Sequence, residues 1–254
     1  VIGDDLTQII KKATQDGKVP AGKLVVHTNT PSFTGSHVVG FGNMVKSFIQ
    51  YMSKNSGKKI TQVNILPGFV EPSDMAEMRR IADEMGVKIV MLPDTSKVVN
   101  GPLDGKFHMY PNGGTTREEI VSMGDSQFTI GFGRVSSLNA AKLLDTQCKV
   151  PYEMLDLPVG IRNTDAYVDL LRKLGGVSVP ESLTLERGQL VDVMTDMQQY
   201  TYRKKAALVG DPDLLIGLVS FLTELDVEIT TVLTGTPAGP KFERRIRELA
   251  GDKV

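Results

Sequence analysis

The chain alternates short apolar runs with longer segments whose apolar residues recur every three to four positions, and this alternation is its strongest constraint on fold. The apolar run Gln62 to Leu66 is followed by a helical pattern that ends at Met85, and the run Val87 to Leu92 comes next. Strands separated by helices of ~10 to 15 residues form right-handed crossovers and parallel sheets covered on both faces. The sequence therefore predicts an α/β fold of doubly wound parallel sheets with flanking helices.

The same patterns predict the other elements. The expected strands are Leu24 to Val26, Gln127 to Gly131, a short strand near Met154, Lys205 to Val209, and Val227 to Leu233. The expected helices are Leu6 to Ala13, Val38 to Met52, Ser137 to Leu144, Asn163 to Leu174, Leu214 to Leu225, and Lys241 to Leu249. Ser73 is predicted to cap the helix that ends at Met85, and Thr116 with Glu119 is predicted to form a capping box. Pro180 to Tyr202 is predicted as the longest helix, dividing one doubly wound unit from a second.

Composition excludes several classes of function. The chain has 29 basic and 30 acidic residues, so its formal net charge of −1 gives no electrostatic reason to expect nucleic acid or an anionic membrane as a partner. No apolar run reaches the ~18 to 20 residues that span a bilayer. No targeting peptide is visible at Val1, and we expect a cytoplasmic protein. Cys148 is the one cysteine, and we expect it to be a buried structural thiol.

The most polar segment is the loop from His27 to His37, which reads HTNTPSFTGSH. It lies between an apolar run and a helical pattern, where α/β proteins place functional loops. An ordinary structural interpretation is also open, in which Ser36 caps the following helix and the other hydroxyls bond turn amides. On either interpretation the loop is the first candidate for a functional site.

This loop and several motifs after it resemble the β subunit of nitrogenase component 1, over the whole chain. The matching segments, in order, are Val1 to Leu6 (VIGDDL), His27 to His37, Asn64 to Phe69 (NILPGF), Met109-Tyr110 followed by Gly113 to Thr116 (GGTT), Glu186 to Gly188 (ERG), Leu190 to Asp192 (LVD), Met194 to Asp196 (MTD), and Gly210 to Asp213 (GDPD). Other segments resemble the alternative enzymes, which use iron only or vanadium and iron in place of molybdenum: Val70 to Met75 (VEPSDM), Leu92 to Ser96 (LPDTS), Val232 to Pro237 (VLTGTP), Thr195 to Met197, and Pro151 to Glu153.

The resemblance implies a central fragment of a subunit with three nitrogenase component 1-like Rossmannoid domains. On this basis residues 1–22 are the tail of the N-terminal domain, 23–180 a middle Rossmann-like domain, 181–203 a long linking helix, and 204–254 the truncated start of a further Rossmann-like domain. The isolated fragment is not expected to be active. The implied function is ATP-dependent reduction of dinitrogen to ammonia, with this chain forming part of an electron-relay site and of the tetramer interface.

The resemblance also implies cofactors and partners. The cofactor is the P cluster (8Fe-7S), shared with the α subunit, and the β-chain cysteines that bind it are absent from this chain. The partners are the α subunit, a second β subunit, and a transiently bound iron–sulfur reductase that uses ATP; a small δ subunit is a further candidate. An interfacial divalent cation is a candidate ligand.

Ser32 and Phe33 are the residues that the resemblance places at the P cluster. In the molybdenum enzymes the serine of this loop can bind an iron as an alkoxide when the cluster is oxidised, since an electron-deficient iron lowers the pKa of the hydroxyl. Phe33 would pack beside the cluster and exclude water. If the resemblance is set aside, the sequence indicates that Ser32 is a turn residue beside proline and that Phe33 is an aromatic residue of the core.

Asp192 and Asp196 are the second candidate site. Their i, i+4 spacing on the long helix places both carboxylates on one face, where like charges repel unless a cation or basic group neutralises them. A solvated acidic face is the ordinary interpretation. The resemblance implies instead that the pair binds an inter-subunit cation together with residues of the other β subunit.

Other candidates and two other functions stay open. His27 and His37 could be read as a metal pair, but no third ligand stands at suitable spacing, and we expect these histidines and His108 to be structural. No catalytic residue is predicted. The glycine-rich segments do not contain a full dinucleotide-binding fingerprint or a full phosphate-binding loop.

The alternative functions are a cofactor-assembly scaffold subunit of the same ancestry, and an unrelated nucleotide-binding α/β domain.

Overall fold

The computed structural model describes residues 5–31, 35–102 and 104–251, and it shows helices alternating with strands. The strands are β1 (Ile60–Leu66), β2 (Ile89–Met91), β3 (Ser126–Phe132), β4 (Tyr152–Leu155), β5 (Lys205–Val209) and β6 (Glu228–Leu233). The helices are α1 (Leu6–Gln15), α2 (His37–Met52), α3 (Pro72–Glu84), α4 (Ser96–Val99), α5 (Arg117–Ser122), α6 (Arg134–Cys148), α7 (Gly160–Gly175), α8 (Glu181–Thr201), α9 (Pro212–Glu224) and α10 (Gly239–Ala250).

The central sheet contains four parallel strands in the order β2-β1-β3-β4. Strand β1 lies in the middle, where Asn64 is in register with Val90 of β2 and with Thr129 of β3. From β1 the chain passes to β2 on one side of β1, and it then crosses to β3 on the other side. The direction of winding therefore reverses between β1 and β3. This reversal is the point at which doubly wound sheets usually bind their ligands.

Helices cover both faces of this sheet because successive strand residues point to opposite sides. On one face, Val63 and Ile65 of β1 pack with side chains from α3 and α7. On the other face, Leu66 packs with side chains from α2, α5 and α6. Both layers are buried, which confirms the predicted doubly wound α/β class.

A second parallel sheet, made of β5 and β6, follows the long helix. Its core consists of Ile216 and Val219 from α9, Ile229 from β6, and Ile246 from α10. Helix α8 connects the two sheets and buries only Leu183 among its own residues. The predicted long helix is therefore confirmed, while the division of the chain into domains stays a prediction.

Two local predictions were wrong. Leu24 to Val26 is not a strand, and Leu24 is 49% exposed: this run has no neighbouring strand to pair with, so its apolar character does not lead to a sheet. Ser73 is not a helix cap, because α3 begins one residue earlier at Pro72, a residue well suited to the first helical position. The backbone N–H of Glu71 donates to Asp74 Oδ2 at 3.1 Å and closes that end of the helix.

Other local predictions were confirmed. Thr116 and Glu119 form the predicted capping box of α5, with Glu119 N donating to Thr116 Oγ1 at 3.2 Å and Thr116 N donating to Glu119 Oε2 at 2.7 Å. Cys148, the last residue of α6, is a free thiol that is fully buried in the core, and burial raises its pKa. Within the described ranges, no helix combines the length and apolarity needed to cross a bilayer.

Candidate functional site

The first half of the polar loop is attached to helix α2. The Tyr51 hydroxyl lies 2.6 Å from His27 Nε2, and the centroids of the two rings are 4.9 Å apart. Thr28 Oγ1 donates to the carbonyl oxygen of Asn43 at 3.3 Å. These contacts hold the start of the loop along the side of the helix that follows it.

The second half of the loop meets the start of the second α/β unit. His37, the first residue of α2, places its Nε2 3.1 Å from Asp211 Oδ2 and packs edge-on against Phe69 at 5.1 Å. His27 and His37 therefore have separate partners, in agreement with the expectation that they are structural. No group of three potential metal ligands among histidine, cysteine, aspartate and glutamate occurs in residues 5–31, 35–102 and 104–251.

Ser36 occupies the N-cap position of α2, but its hydroxyl does not cap the helix. Its Oγ is buried without a hydrogen-bond partner in the described part of the chain. The ordinary interpretation of the loop, in which the Ser36 side chain caps α2, is therefore wrong on this point. Buried hydroxyls are nearly always hydrogen-bonded, so this oxygen is an exception within the loop.

Ser32 and Phe33, the predicted P-cluster residues, lie outside the described residues. Their described neighbours border two open cavities, one of about 500 Å³ next to His27 and one of about 280 Å³ next to Pro31 and Gly35. Asn29, Thr30 and His37 are exposed, so the described ends of the loop lie at the surface of the chain and not in its core.

Asp192 and Asp196 lie on the exposed surface of α8. Neither side chain has an ion pair or hydrogen bond within the described ranges. Exposed apolar side chains lie around them on the same helix: Leu190, Val191, Val193 and Met197. An acidic pair surrounded by exposed apolar side chains is typical of a surface that meets another polypeptide.

The reversal point of the central sheet is already occupied by a carboxylate of the chain itself. Asp213 is 5% exposed, and its two oxygens accept hydrogen bonds from the backbone N–H groups of Val135 and Ser136, each at 3.0 Å. The Ser136 hydroxyl also donates to Asp213 Oδ2 at 2.8 Å. A Cβ on Gly133 would come within 2.5 Å of Asp213 Oδ2, so glycine is required for this close approach. The N-terminus of α6, where a bound phosphate would lie, is therefore filled.

Sequence reasoning missed this role of Asp213. It identified the segment Gly210 to Asp213 only as a point of resemblance. A second carboxylate of the same helix acts similarly, because Glu224 accepts from the backbone N–H groups of Ile161 and Arg162 at 2.8 and 3.0 Å. Helix α9 thus caps both α6 and α7, so charged hydrogen bonds join the two α/β units.

Fold and site together define a Rossmann-like α/β protein in which Asp213 occupies the sheet reversal. Its described surface includes both ends of the polar loop and the apolar residues of α8. The chain belongs to the family of nitrogenase component 1 type oxidoreductases, whose model matches residues 1–254.

Individual relatives agree with this assignment. The chain is 46% identical over 245 residues to a nitrogenase molybdenum-iron protein β chain from Clostridium pasteurianum, covering 96% of this chain and 53% of the relative. It is 36% identical over 255 residues to a nitrogenase vanadium-iron protein β chain from Trichormus variabilis, covering 98% and 54%. A solved structure described as nitrogenase Cp1 at pH 6.5 superposes with a TM-score of 0.95 and 45% identity, covering 99% of this chain and 55% of that one.

The predicted resemblance to component 1 β subunits is therefore confirmed. The chain spans about half the length of the curated relatives that it matches. The narrower assignment to an alternative enzyme is not established by these relatives, since both metal types occur among them.

Proposed function

We propose that this chain is part of a nitrogenase component 1 β subunit, acting with an α subunit in the ATP-dependent reduction of dinitrogen to ammonia in the cytoplasm. The observation that carries the proposal is the 46% identity to a molybdenum-iron protein β chain over nearly the whole of this chain. Electrons would come from a separate ATP-using iron–sulfur reductase. The reacting metal site would belong to the α subunit, and no residue of this chain is proposed as catalytic.

The polar loop is proposed as one wall of the P-cluster pocket. When bound, the P cluster supplies a reversible electron relay. Ser32 would hold it through the hydroxyl oxygen, and Phe33 would exclude water. The described ends of the loop fit such a role, because they are exposed and border two cavities. Cys148 does not contribute, because this last residue of α6 is fully buried in the core.

The exposed apolar surfaces support assembly with other subunits. Phe107 and Tyr110 are 89% and 87% exposed, and α8 carries a further set of exposed apolar residues around Asp192 and Asp196. Large contiguous apolar patches are uncommon on the surface of an isolated protein, so these side chains are expected to contact polypeptide in the complete enzyme. Asp192 and Asp196 are proposed to hold a divalent cation at the contact between two β subunits.

Reconstitution tests the proposed function directly. The complete β subunit containing residues 1–254 would be produced together with its α partner, purified, and mixed with the iron–sulfur reductase and ATP. Formation of labelled ammonia from isotopically labelled dinitrogen is expected, and its loss when the β subunit is omitted is the control. A correctly assembled complex that carries both of its metal clusters and forms no ammonia would contradict the proposal.

The alternative enzyme type is a second candidate. It is favoured by segments such as Val70 to Met75 and Val232 to Pro237, whereas the higher identity to the Clostridium chain favours the molybdenum type. Quantification of molybdenum, vanadium and iron in the purified complex distinguishes the two. An iron-only or vanadium-containing complex would support the alternative type, and stoichiometric molybdenum would exclude it.

The other functions considered from the sequence are less well supported. A cofactor-assembly scaffold would lack the redox signature of the P cluster, so spectroscopy of the complete complex distinguishes it from the enzyme. A nucleotide-binding domain is opposed by the position of Asp213, which occupies the end of α6 where a phosphate would bind.

A further inference from the structure

A cavity of about 660 Å³ lies between the two α/β units. Its walls come from α6, α7, α9 and α10 and from the end of β4. Cavities of this size, placed where two units meet, are typical of small-molecule sites. None of the residues predicted from the sequence to bind a cofactor or metal lines this cavity.

The cavity has an excess of basic groups that are available to a ligand. Its lining contains five basic and three acidic residues. Each acidic residue already has a partner: Asp213 caps α6, while Asp156 and Glu248 both pair with Arg245, at 2.8 and 3.3 Å. The four remaining basic side chains make no ion pair with any described residue; they are Arg134, Arg162, Lys241 and Arg244.

A buried amide adds an independent observation. Asn163 lines the cavity and is 5% exposed, and its Nδ2 has no hydrogen-bond partner among the residues that the structure describes. Buried amide N–H groups are almost always hydrogen-bonded. An oxygen acceptor from an occupant of the cavity would satisfy this group.

Apolar side chains complete the lining. Leu138, Met154, Ile216 and Phe242 contribute carbon surface to the same cavity. A bare inorganic ion would leave this surface in contact with water, whereas an organic body would cover it.

We propose that this cavity binds a small organic polyanion whose carboxylate or phosphate oxygens are held by Arg134, Arg162, Lys241 and Arg244 and by the amide of Asn163. Guanidinium groups bind both carboxylates and phosphates with paired hydrogen bonds. The same side chains would therefore recognise a ligand of either kind. The backbone N–H groups at the start of α6 take no part, because Asp213 already accepts their hydrogen bonds. This inference does not depend on the proposed function.

Equilibrium dialysis on the complete complex tests the proposal. Labelled citrate and labelled fructose 1,6-bisphosphate would be titrated separately at constant ionic strength maintained with sodium chloride. One saturable site per copy of this chain is expected for at least one of the two probes. Citrate binding alone would assign a carboxylate ligand, and binding of fructose 1,6-bisphosphate alone would assign a phosphate ligand.

Three variants locate the binding. Arg244→Gln removes one unpaired charge, and Asn163→Asp replaces the amide donor with a carboxylate that repels anions, so each should weaken binding by about tenfold or more. Arg247→Gln is the matched control, since Arg247 is exposed on the same helix and does not line the cavity. Because Arg244 is exposed and unpaired, its variant is expected to fold even if Asn163→Asp does not.

Three results would overturn the proposal. They are the absence of saturable binding for both probes, equal weakening by Arg244→Gln and Arg247→Gln, and a structure of the complete complex in which other polypeptide fills the cavity.

Discussion

The carboxylate of Asp213 accepts a 2.8 Å hydrogen bond from the hydroxyl of Ser136 and lies at the N-terminus of α6, although the two residues are 77 positions apart in the sequence. Asp213 belongs to the second α/β unit and Ser136 to the first. The contact therefore fixes one unit against the other, and it closes the position at which a doubly wound sheet would otherwise accept an anion.

Replacement of Asp213 by alanine is expected to lower the free energy of unfolding by about 1 to 3 kcal/mol, because it leaves the buried N–H groups of Val135 and Ser136 without an acceptor. Denaturant unfolding of the complete subunit measures this change. Glu243→Ala is the control, since Glu243 is exposed and its side chain has no partner in the described ranges. Equal stability of the two variants would show that the contact does not join the units.

A second prediction concerns stability at low pH and Asp94. Burial acts to raise the pKa of this carboxyl, but hydrogen bonds from Ser96 and from the Arg79 guanidinium outweigh it and hold the pKa below its ordinary value of 3.8. The Arg79 Nη2 to Asp94 Oδ2 distance is 2.6 Å, and the two side chains are 27% and 11% exposed. A carboxyl whose pKa is lowered by folding contributes stability above its unfolded pKa and loses it as the pH falls through the folded pKa.

We therefore expect Asp94→Asn to destabilise the subunit by about 1 to 3 kcal/mol near neutral pH. The difference from the unsubstituted protein should shrink once the pH falls below the ordinary pKa of 3.8. Denaturant unfolding over a series of pH values measures it. A difference that stays constant down to the lowest pH at which the subunit remains folded would argue against an ionised, paired Asp94.

A third prediction concerns the acidic pair on α8. The double substitution Asp192→Asn with Asp196→Asn should remove an interfacial metal from the complete tetramer or weaken the association between β subunits. Metal analysis and analytical sedimentation measure these effects. Glu181→Gln on the same helix is the control, because Glu181 is also exposed and unpaired among the described residues. Unchanged metal content and unchanged association in the double variant would reject the site.

Sequence patterns predicted the regular elements because the information for them is local. Strand β1 and helix α8 follow directly from the spacing of their apolar residues, and the Thr116 and Glu119 cap depends on residues three positions apart. The wrong prediction of a strand at Leu24 to Val26 arose because the deciding information is not local. An apolar run becomes a strand only if a neighbouring strand lies beside it, and that neighbour is not encoded in the run.

The candidate sites also differ in how much of their information is local in the sequence. Polarity marked the loop and i, i+4 spacing marked the acidic pair, but the roles assigned to Ser32 and Asp192 came only from resemblance to a family. Asp213, Glu224 and the cavity at Asn163 were missed because each brings together residues from distant parts of the chain. Local periodicity carries no information about such contacts.

The oxidised-state spectrum of the P cluster in the complete complex is the most direct test of the central claim, that the loop around Ser32 forms part of the electron-relay pocket. Ser32→Ala should alter the spectrum and the redox potential with little effect on folding. Ser36→Ala, in the same loop, should leave both unchanged, because the Ser36 hydroxyl is buried without a partner in the described part of the chain. If Ser32→Ala also leaves the spectrum and the potential unchanged, the claim is contradicted.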